Sequence, residues 1–395
     1  MDYTNNFVAD RVVRNKAYPA LARWSALPYT QEWRQFVQHW PNTVPAELYE
    51  HFDTHGVDYR LSDFNNSVTG SYYTVGLGFF NFDVDYFALM SEQVRRRLRQ
   101  EELAVLFYYH EGDNPFRIKD RLDELCHDHL LPPNCYRFVS GNTAAKAIPR
   151  FAYFPDHELL YWHRNQAIPA TPVHSNRRLR DFTVLSRTHK WWRATVMTDL
   201  HRGGLLNNSY WSYRTDITAS EAETDNPIEV DTLEIRKDIK TFLADGPYSC
   251  DTLTHEQHND HHLIETNHFT DSYCNIILET HFDADGSGGA FLTEKTFKAI
   301  KHGQPFVIVG CPGSLAALRD LGYRTFDHAV DTSYDSIQDN TERWIAVRQA
   351  IADLKSRDLH TWFDTCRSDV EHNQQLFCGT KAHRLNTLLE SIRND

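Results

Sequence analysis

Apolar and polar positions along the chain fall into two patterns, short continuous apolar runs and stretches with an apolar residue every three or four positions. The apolar runs are typical of buried parallel strands, and they include LAVLFYY (103–109), DFTVLSR (181–187), SYCNIILETHFD (272–283) and PFVIVG (305–310). Helical patterns stand between them, such as IKDRLDELCHDH and THKWWRATVMTDLHRGGLL. The alternation predicts an α/β fold.

The amino-terminal half carries its own strands and helices. SYYTVGLGFF (71–80) is rich in strand-forming residues, and VDYFALMSEQVRRRLRQEE (84–102) has the pattern of an amphipathic helix. The helix after LAVLFYY leads to a further strand, CYRFVSGN, which completes a β-loop-α-β unit. We therefore expect a separate α/β sheet in this half, preceded by a helical segment that includes TQEWRQFVQHW.

The stretch 291–326 has the clearest pattern, helix, strand and helix. Thr293 is placed to cap the first helix, which the His-Gly pair at 302–303 ends. PFVIVG forms the strand, and a turn leads to a second helix capped by Ser314 and stopped by Gly322. Because open α/β sheets bind ligands at the carboxyl ends of their strands, this turn lies where a ligand is expected.

Glu294 and Lys295 open the first of these helices. A helix amino terminus attracts anions, a lysine adds a full positive charge, and a carboxylate accepts hydrogen bonds from vicinal hydroxyls. A ribose joined to a diphosphate requires that set of groups. The alternative is an acidic residue favourable to the helix dipole beside a solvated lysine.

Positive charge also gathers where DFTVLSR passes into its helix, at Arg187, Lys190 and Arg193. Phosphates bind readily at such a strand end and helix start. The alternative for each side chain is a structural ion pair with an acidic neighbour.

The segments TEKTFKAIKHGQPFVIVG, SLAALRDLGYRTF and DTSYD resemble the carboxyl-terminal half of GT-B glycosyltransferases found in tailed phages, which are distantly similar to the fucosyltransferase family. The resemblance covers roughly 185–343. It implies that Glu294 and Lys295, with Thr293, hold a nucleotide sugar, and that the strand and arginine-rich turn at Arg187 and Arg193 bind its phosphates. Lys190 and Trp192 stand where those families often have arginine and histidine.

The resemblance also implies a domain organisation. We expect two Rossmann-like domains facing each other across a cleft, as in the GT-B fold, and the length of 395 residues suits two domains. Residues 1–175 would form the acceptor-side domain and 176–345 the domain that binds the donor. Residues 346–395 would form carboxyl-terminal helices, of which 373–393 would cross back to the amino-terminal domain.

A general base is expected in the loop that follows LAVLFYY. Inverting sugar transfer to a hydroxyl needs a base near the acceptor, and Glu111 and Asp113 follow a strand's carboxyl end. Glu111 is the preferred base, because Asp113 with the following Asn-Pro can instead form a turn and cap the next helix. No metal is expected if Lys295 and the arginines neutralise the leaving diphosphate.

Composition narrows the partners. The net charge of −13 argues against broad nucleic-acid binding, although local basic clusters occur at 95–99 and 177–180. Seven cysteines without a C-x-x-C motif suggest reduced thiols. We find no apolar window long enough for a membrane span and no signal-peptide pattern, so we expect a cytoplasmic protein, in the host cytoplasm if phage-encoded.

Histidines are frequent in HEQHNDHHLIETNH (255–268). The segment lacks the H-E-x-x-H spacing of a zinc site, so we interpret them as polar, exposed side chains.

The leading hypothesis is a metal-independent, inverting glycosyltransferase that uses a nucleotide sugar. The favoured acceptor is a hydroxymethylated pyrimidine in phage DNA, bound as double-stranded DNA through local basic patches. A saccharide or protein acceptor is the alternative, which the acidic net charge favours. Other hypotheses are a non-catalytic protein that binds sugar nucleotides or glycans on the same fold, and a histidine-ligated metal hydrolase.

Overall fold

In the part of the chain that the computed structural model describes, helices pack around two parallel β-sheets. The described residues are 6–9, 46–78, 80–166, 168–174, 176–186, 189–213, 226–250 and 265–394. The prediction of an α/β fold is confirmed. Three sequence predictions lie outside the described residues, namely the helix at TQEWRQFVQHW, Arg187 and the histidines between 255 and 262.

The described strands are β1 (Asn6–Ala9), β2 (Arg60–Asp63), β3 (Ser71–Leu77), β4 (Leu103–Tyr109), β5 (Tyr136–Ser140), β6 (Phe151–Tyr153), β7 (Arg180–Ser186), β8 (Tyr210–Tyr213), β9 (Ser272–Leu278) and β10 (Phe306–Val309). The helices of the first part of the chain are α1 (Ala46–His55), α2 (Glu92–Arg99), α3 (Pro115–Asp128) and α4 (Asp156–Arg164). They are followed by α5 (Trp191–Arg202), α6 (Arg236–Asp245), α7 (Asn267–Thr270), α8 (Ala284–Ser287), α9 (Glu294–Lys301), α10 (Ser314–Asp320), α11 (Asn340–Lys355), α12 (Leu359–Cys378) and α13 (Ala382–Asn394).

The chain divides into two compact units, unit 1 with residues 1–160 and 380–395, and unit 2 with residues 161–379. Helix α13 belongs to unit 1, where it packs against α1 and β6. The division of the chain into an acceptor-side and a donor domain is a functional one and stays a prediction.

Unit 1 contains a parallel sheet whose described strands follow the order β2-β1-β3-β4-β5-β6. Strand β4 is buried along its whole length, as expected for a parallel strand covered on both faces. Alternate residues point to opposite faces, so Phe107 and Tyr109 pack in one core with α2 and α3, whereas Leu106 and Tyr108 pack in the other with α1 and α13. The two tyrosines therefore carry their hydroxyls to different sides of the sheet.

Unit 2 contains a second parallel sheet, with its described strands in the order β10-β9-β7-β8. The chain runs outward from β7 to β8 and then returns to the other side of β7 to form β9. The strand order thus reverses between β7 and β9, the position at which open α/β sheets bind ligands at the carboxyl ends of the strands.

Several predicted elements differ from the observed ones. The predicted helix 84–102 forms only at α2, because Ser91 caps it there and accepts a hydrogen bond from the amide of Val94. The predicted strand 272–283 ends at Leu278, so that residues 279–283 form its exit. Ser314 does not cap α10, since its hydroxyl donates to the carbonyl of Cys311 and Gly313 takes the cap position with a positive φ.

All seven cysteines are free thiols. Within the described ranges, no helix combines the length and the apolar character needed to cross a membrane.

Candidate functional site

The exit of β9 carries a buried carboxylate that sequence reasoning missed. Glu279 is 1% exposed, and its two oxygens accept hydrogen bonds from Thr293 and Thr296 at the start of α9. The Thr293 amide donates to Oε1 at 3.1 Å, and the Thr293 and Thr296 hydroxyls each donate at 2.6 Å. Glu279 therefore fixes the first turn of α9 against the end of β9, and the only sequence signal for it is an acidic residue directly after an apolar strand.

Thr293 occupies the cap position of α9, as predicted, but its hydroxyl makes no capping bond to the helix. The hydroxyl is committed to Glu279, and its oxygen also accepts a hydrogen bond from Lys295 Nζ at 2.9 Å. The residue thus connects the buried carboxylate to the lysine.

Lys295 lies on the first turn of α9 with its ammonium group directed at the exit of β9. Its Nζ donates to Thr280 Oγ1 at 3.2 Å and lies 3.5 Å from a carboxylate oxygen of Glu294. The side chains of Lys295 and Glu294 are 28% and 13% exposed, so both remain partly open to solvent. A charged pair that remains partly exposed is suited to meet a ligand.

The β7 side of the reversal point contributes two further cations. Lys190 precedes α5 and donates from Nζ to the carbonyl of Thr280 at 2.6 Å. Arg193, on the first turn of α5, is 3% exposed and donates to the carbonyls of Leu278 and Glu279. Tertiary structure therefore brings Lys295 to the neighbouring pair Lys190 and Arg193 around the exit of β9, although Lys295 lies far from them in sequence.

The positive charges of this cluster affect the pKa of His281. Burial, followed by the positive charges of Lys190, Arg193 and Lys295, lowers the pKa of His281 to about 3. The imidazole is therefore neutral at physiological pH, and the cluster keeps its net positive charge without a protonated histidine. The sequence did not predict this effect, because His281 was assigned to the strand 272–283 and to no site.

We expect His281 to make folding pH-dependent. An unfolded histidine titrates at about 6.5, so between that value and the folded pKa the unfolded chain binds more protons. The free energy of unfolding should thus fall as the pH drops from about 6.5 towards 4, by up to about 1.4 kcal/mol per pH unit for this group. Urea unfolding at pH 7, 6 and 5 measures the slope, which His281→Gln should flatten.

His127→Gln is the matched control, because the side chain of His127 is 90% exposed. It should leave the slope unchanged. An equally steep slope in His281→Gln and the wild type would show that other groups cause the pH dependence.

The exit of β10 borders a pocket of about 440 Å³. Its lining includes Gly288, Cys311, Pro312, Arg319, Ser333 and Gln338, so small residues from two turns form its walls beside polar side chains. The size falls within the range of small-molecule sites.

The amino terminus of α10, beside this pocket, already binds a carboxylate of the protein. The carboxylate of Asp335 accepts hydrogen bonds from the amides of Leu315 and Ala316 at 2.8 and 2.9 Å, and burial raises its pKa. These first-turn amides of α10 are therefore already satisfied by a carboxylate.

In unit 1, Glu111 and Asp113 lie in the loop after β4, as predicted. The carboxylate of Asp113 accepts a hydrogen bond from the hydroxyl of Tyr109 at 2.5 Å, while Glu111 is 30% exposed and lies 3.7 Å from Nε2 of His110. Asn114, rather than Asp113, caps α3 by accepting from the amide of Phe116. Both residues are partly exposed, Glu111 beside an imidazole and Asp113 bound by a tyrosine hydroxyl.

Several arginines of the two basic clusters are engaged within the protein. Arg95 and Arg99 both bind Glu92, and Arg97 binds Glu102 at 2.9 Å. The Arg178 guanidinium donates to the carbonyls of Phe269 and Ser272 and stacks over Phe363.

The histidine-rich segment is described only at its end. His268 is 2% exposed and lies 3.3 Å from a carboxylate oxygen of Glu265. The prediction of an exposed side chain was wrong for this residue, because α7 packs it against Tyr210. Among the described residues no three His, Cys, Asp or Glu side chains are grouped in a way that could hold a metal ion.

No family model matches the chain, and a search of curated proteins finds no matching sequence.

Proposed function

We propose that this protein is a glycosyltransferase that transfers a sugar from a nucleotide-sugar donor to a hydroxyl acceptor. The observation that carries the proposal is the convergence of Lys190 and Lys295 on Thr280, at the point where the strand order of unit 2 reverses. A partly exposed cationic site beside a helix amino terminus, at the carboxyl ends of β7 and β9, fits a diphosphate.

In this proposal the two lysines neutralise the leaving diphosphate. Arg193 is buried beneath them and adds charge from below while its hydrogen bonds hold the β9 exit in place. Preorganised charges of this kind stabilise the negative charge that develops on the leaving group, so the proposal includes no metal ion. Glu294, next to Lys295, is positioned to accept hydrogen bonds from the hydroxyls of the ribose or the sugar.

The pocket at the exit of β10 would take the nucleoside part of the donor. It lies one strand away from the lysines, and its lining offers a guanidinium at Arg319, hydroxyls and an amide. Such polar groups among small residues can hydrogen-bond a base or ribose and set the specificity for one nucleotide.

In this proposal unit 1 would supply the acceptor side and unit 2 would bind the donor, as the sequence resemblance implies. The carboxyl edge of its sheet carries the loop with Glu111 and Asp113, from which a base can remove the acceptor's proton.

The favoured acceptor is a hydroxymethylated pyrimidine in phage DNA, and the alternative is a saccharide or a protein. Internal ion pairs occupy Arg95, Arg97 and Arg99, which leaves fewer cations for phosphate contacts and favours the alternative. A gel shift with duplex DNA containing hydroxymethylated pyrimidines distinguishes the two, because binding through phosphates must weaken steeply as salt rises from 50 to 200 mM.

Thermal shift against the sugars of UDP, GDP, CMP and dTDP tests the proposal directly. One donor at a hundred times its dissociation constant is expected to stabilise the protein by about 2.7 kcal/mol. The absence of stabilisation by every nucleotide sugar would overturn the proposal. Stabilisation without any turnover of the donor would support a non-catalytic binding protein instead.

A further inference from the structure

A second group of ionisable side chains lies at the carboxyl edge of the sheet in unit 1, and sequence reasoning used only part of it. His110 directly follows β4, and its Nε2 lies 3.7 Å from Oε1 of Glu111. The side chains of His110 and Glu111 are 25% and 30% exposed, so a substrate can reach both.

The loop that carries this pair is fixed to the neighbouring strand exit. The amide of Gly141 donates to the carbonyl of Glu111 at 3.3 Å, and the side-chain amide of Asn142 donates to the carbonyl of Gly112 at 2.9 Å. Because Asn142 is fully buried, the backbone of the loop is held from within the unit. The pair is thus preorganised rather than free to move with a flexible loop.

A buried carboxylate interacts electrostatically with His110. Asp156, at the start of α4, is 2% exposed, and its Oδ1 accepts hydrogen bonds from the hydroxyl of Tyr108 and from Nε2 of His51. Its other oxygen, Oδ2, is buried and accepts no hydrogen bond within the described part of the chain. A buried oxygen without a partner concentrates negative charge at this point.

Asp156 is ionised and interacts with His110. Burial opposes its ionisation, but the hydrogen bond and charge of His51, followed by the charge of His110, outweigh burial and lower the pKa of Asp156 to about 2. The ring of His157 lies 6.1 Å from that of His110. Glu111 and His157 therefore lie beside the His110 ring, and the buried charge of Asp156 interacts with it.

We propose that His110 is the base that takes the acceptor's proton, with Glu111 and Asp156 as positioning residues. This inference rests on the function proposed above and changes the role of Glu111 from base to partner of the base. With Nε2 directed at Glu111, Nδ1 is the nitrogen left to accept the proton.

The step is balanced without any further reactant. The O–H bond of the acceptor breaks, its proton passes to the neutral imidazole, and the oxygen forms a bond to the anomeric carbon of the sugar. The bond between that carbon and the diphosphate breaks, and the nucleoside diphosphate leaves with the electron pair. Glu111 and Asp156 then stabilise the imidazolium that has formed.

General chemistry favours imidazole over carboxylate here. A catalytic base works best when it titrates near the working pH, and imidazole titrates at about 6.5 whereas a glutamate side chain titrates at about 4.3. A flanking carboxylate that stabilises the imidazolium adds to this advantage.

The test compares His110→Gln, Glu111→Gln and Asp156→Asn with the wild type, and it uses the donor selected by thermal shift. Transfer to water, followed as release of the nucleoside diphosphate, needs no knowledge of the acceptor. We expect His110→Gln to lose about 10²–10⁴-fold in turnover while it keeps its nucleotide affinity. Added imidazole should partly restore turnover in His110→Gly, a result that a merely structural role would not produce.

The two positioning residues should give a different result. Glu111→Gln and Asp156→Asn should lose about tenfold in kcat with little change in KM, because each removes a charge that stabilises the imidazolium formed during the step. Where Asp156→Asn does not fold, Tyr108→Phe removes one of its hydrogen bonds and gives the milder comparison. His127→Gln, at an exposed position of the same unit, is the control and should retain full turnover.

The outcomes separate the two proposals. An active His110→Gln beside an inactive Glu111→Gln would identify Glu111 as the base and overturn this inference, while the glycosyltransferase proposal would stand. A wild-type protein that binds a nucleotide sugar without releasing the nucleoside diphosphate would also overturn it. A wild-type protein that binds no nucleotide sugar would overturn the proposed function and this inference with it.

Discussion

Replacing Glu279 by alanine is expected to destabilise unit 2 by about 3–5 kcal/mol and to weaken nucleotide binding. The buried carboxylate accepts two hydroxyl bonds and an amide bond from Thr293 and Thr296, and its removal leaves these donors unsatisfied in the interior. Because α9 then loses its attachment to the exit of β9, Lys295 also loses its position. Urea unfolding followed by tryptophan fluorescence measures the first effect, and calorimetric titration with the selected nucleotide measures the second.

Two variants make this test specific. Glu279→Gln keeps the shape and one acceptor oxygen, so it should cost roughly half as much. Glu371→Ala removes an exposed carboxylate from α12 and should change stability by less than about 0.5 kcal/mol. If Glu279→Ala lowered the free energy of unfolding no more than Glu371→Ala, the hydrogen bonds of Glu279 to Thr293 and Thr296 would contribute little to the fold.

The second large effect concerns Lys295. Lys295→Ala should raise the dissociation constant of the nucleoside diphosphate about 10–150-fold, because a charge-assisted hydrogen bond to phosphate is worth about 1.5–3 kcal/mol. Stability should change little, since the Lys295 side chain is 28% exposed and ion pairs that are open to solvent contribute little to folding. Glu294→Ala should weaken binding of the nucleotide sugar in the same titration.

Lys298→Ala is the matched control, as it removes the same charge from the same helix one turn further on. It should leave nucleotide affinity nearly unchanged. The nucleoside without phosphates gives a further comparison, since its affinity should not depend on Lys295. Wild-type affinity for the nucleoside diphosphate in both Lys295→Ala and Glu294→Ala would remove the basis for a donor site at α9.

The local elements could be predicted from the sequence where apolar patterns were long and bounded by strong signals. LAVLFYY coincides with β4, and the helix predicted to begin beside Thr293 and end at the His-Gly pair is α9. These predictions succeeded because side-chain direction follows backbone geometry, so the period of apolar residues reports the element directly. They failed where a cap decided the boundary, as at Ser91, which caps α2 well after the predicted start at residue 84.

The sequence by itself thus determined the α/β class, the positions of the main strands and helices, and the presence of Glu294 and Lys295 on the first turn of a helix. Only the tertiary structure decided which polar groups meet. Strand order brings Lys190 to Thr280 across 90 residues, and it brings His51 to Asp156 across 105 residues. The physical reason is that periodicity is a local property of the backbone, whereas such contacts depend on how the strands pair, and a polar residue carries no periodic signal of its partner.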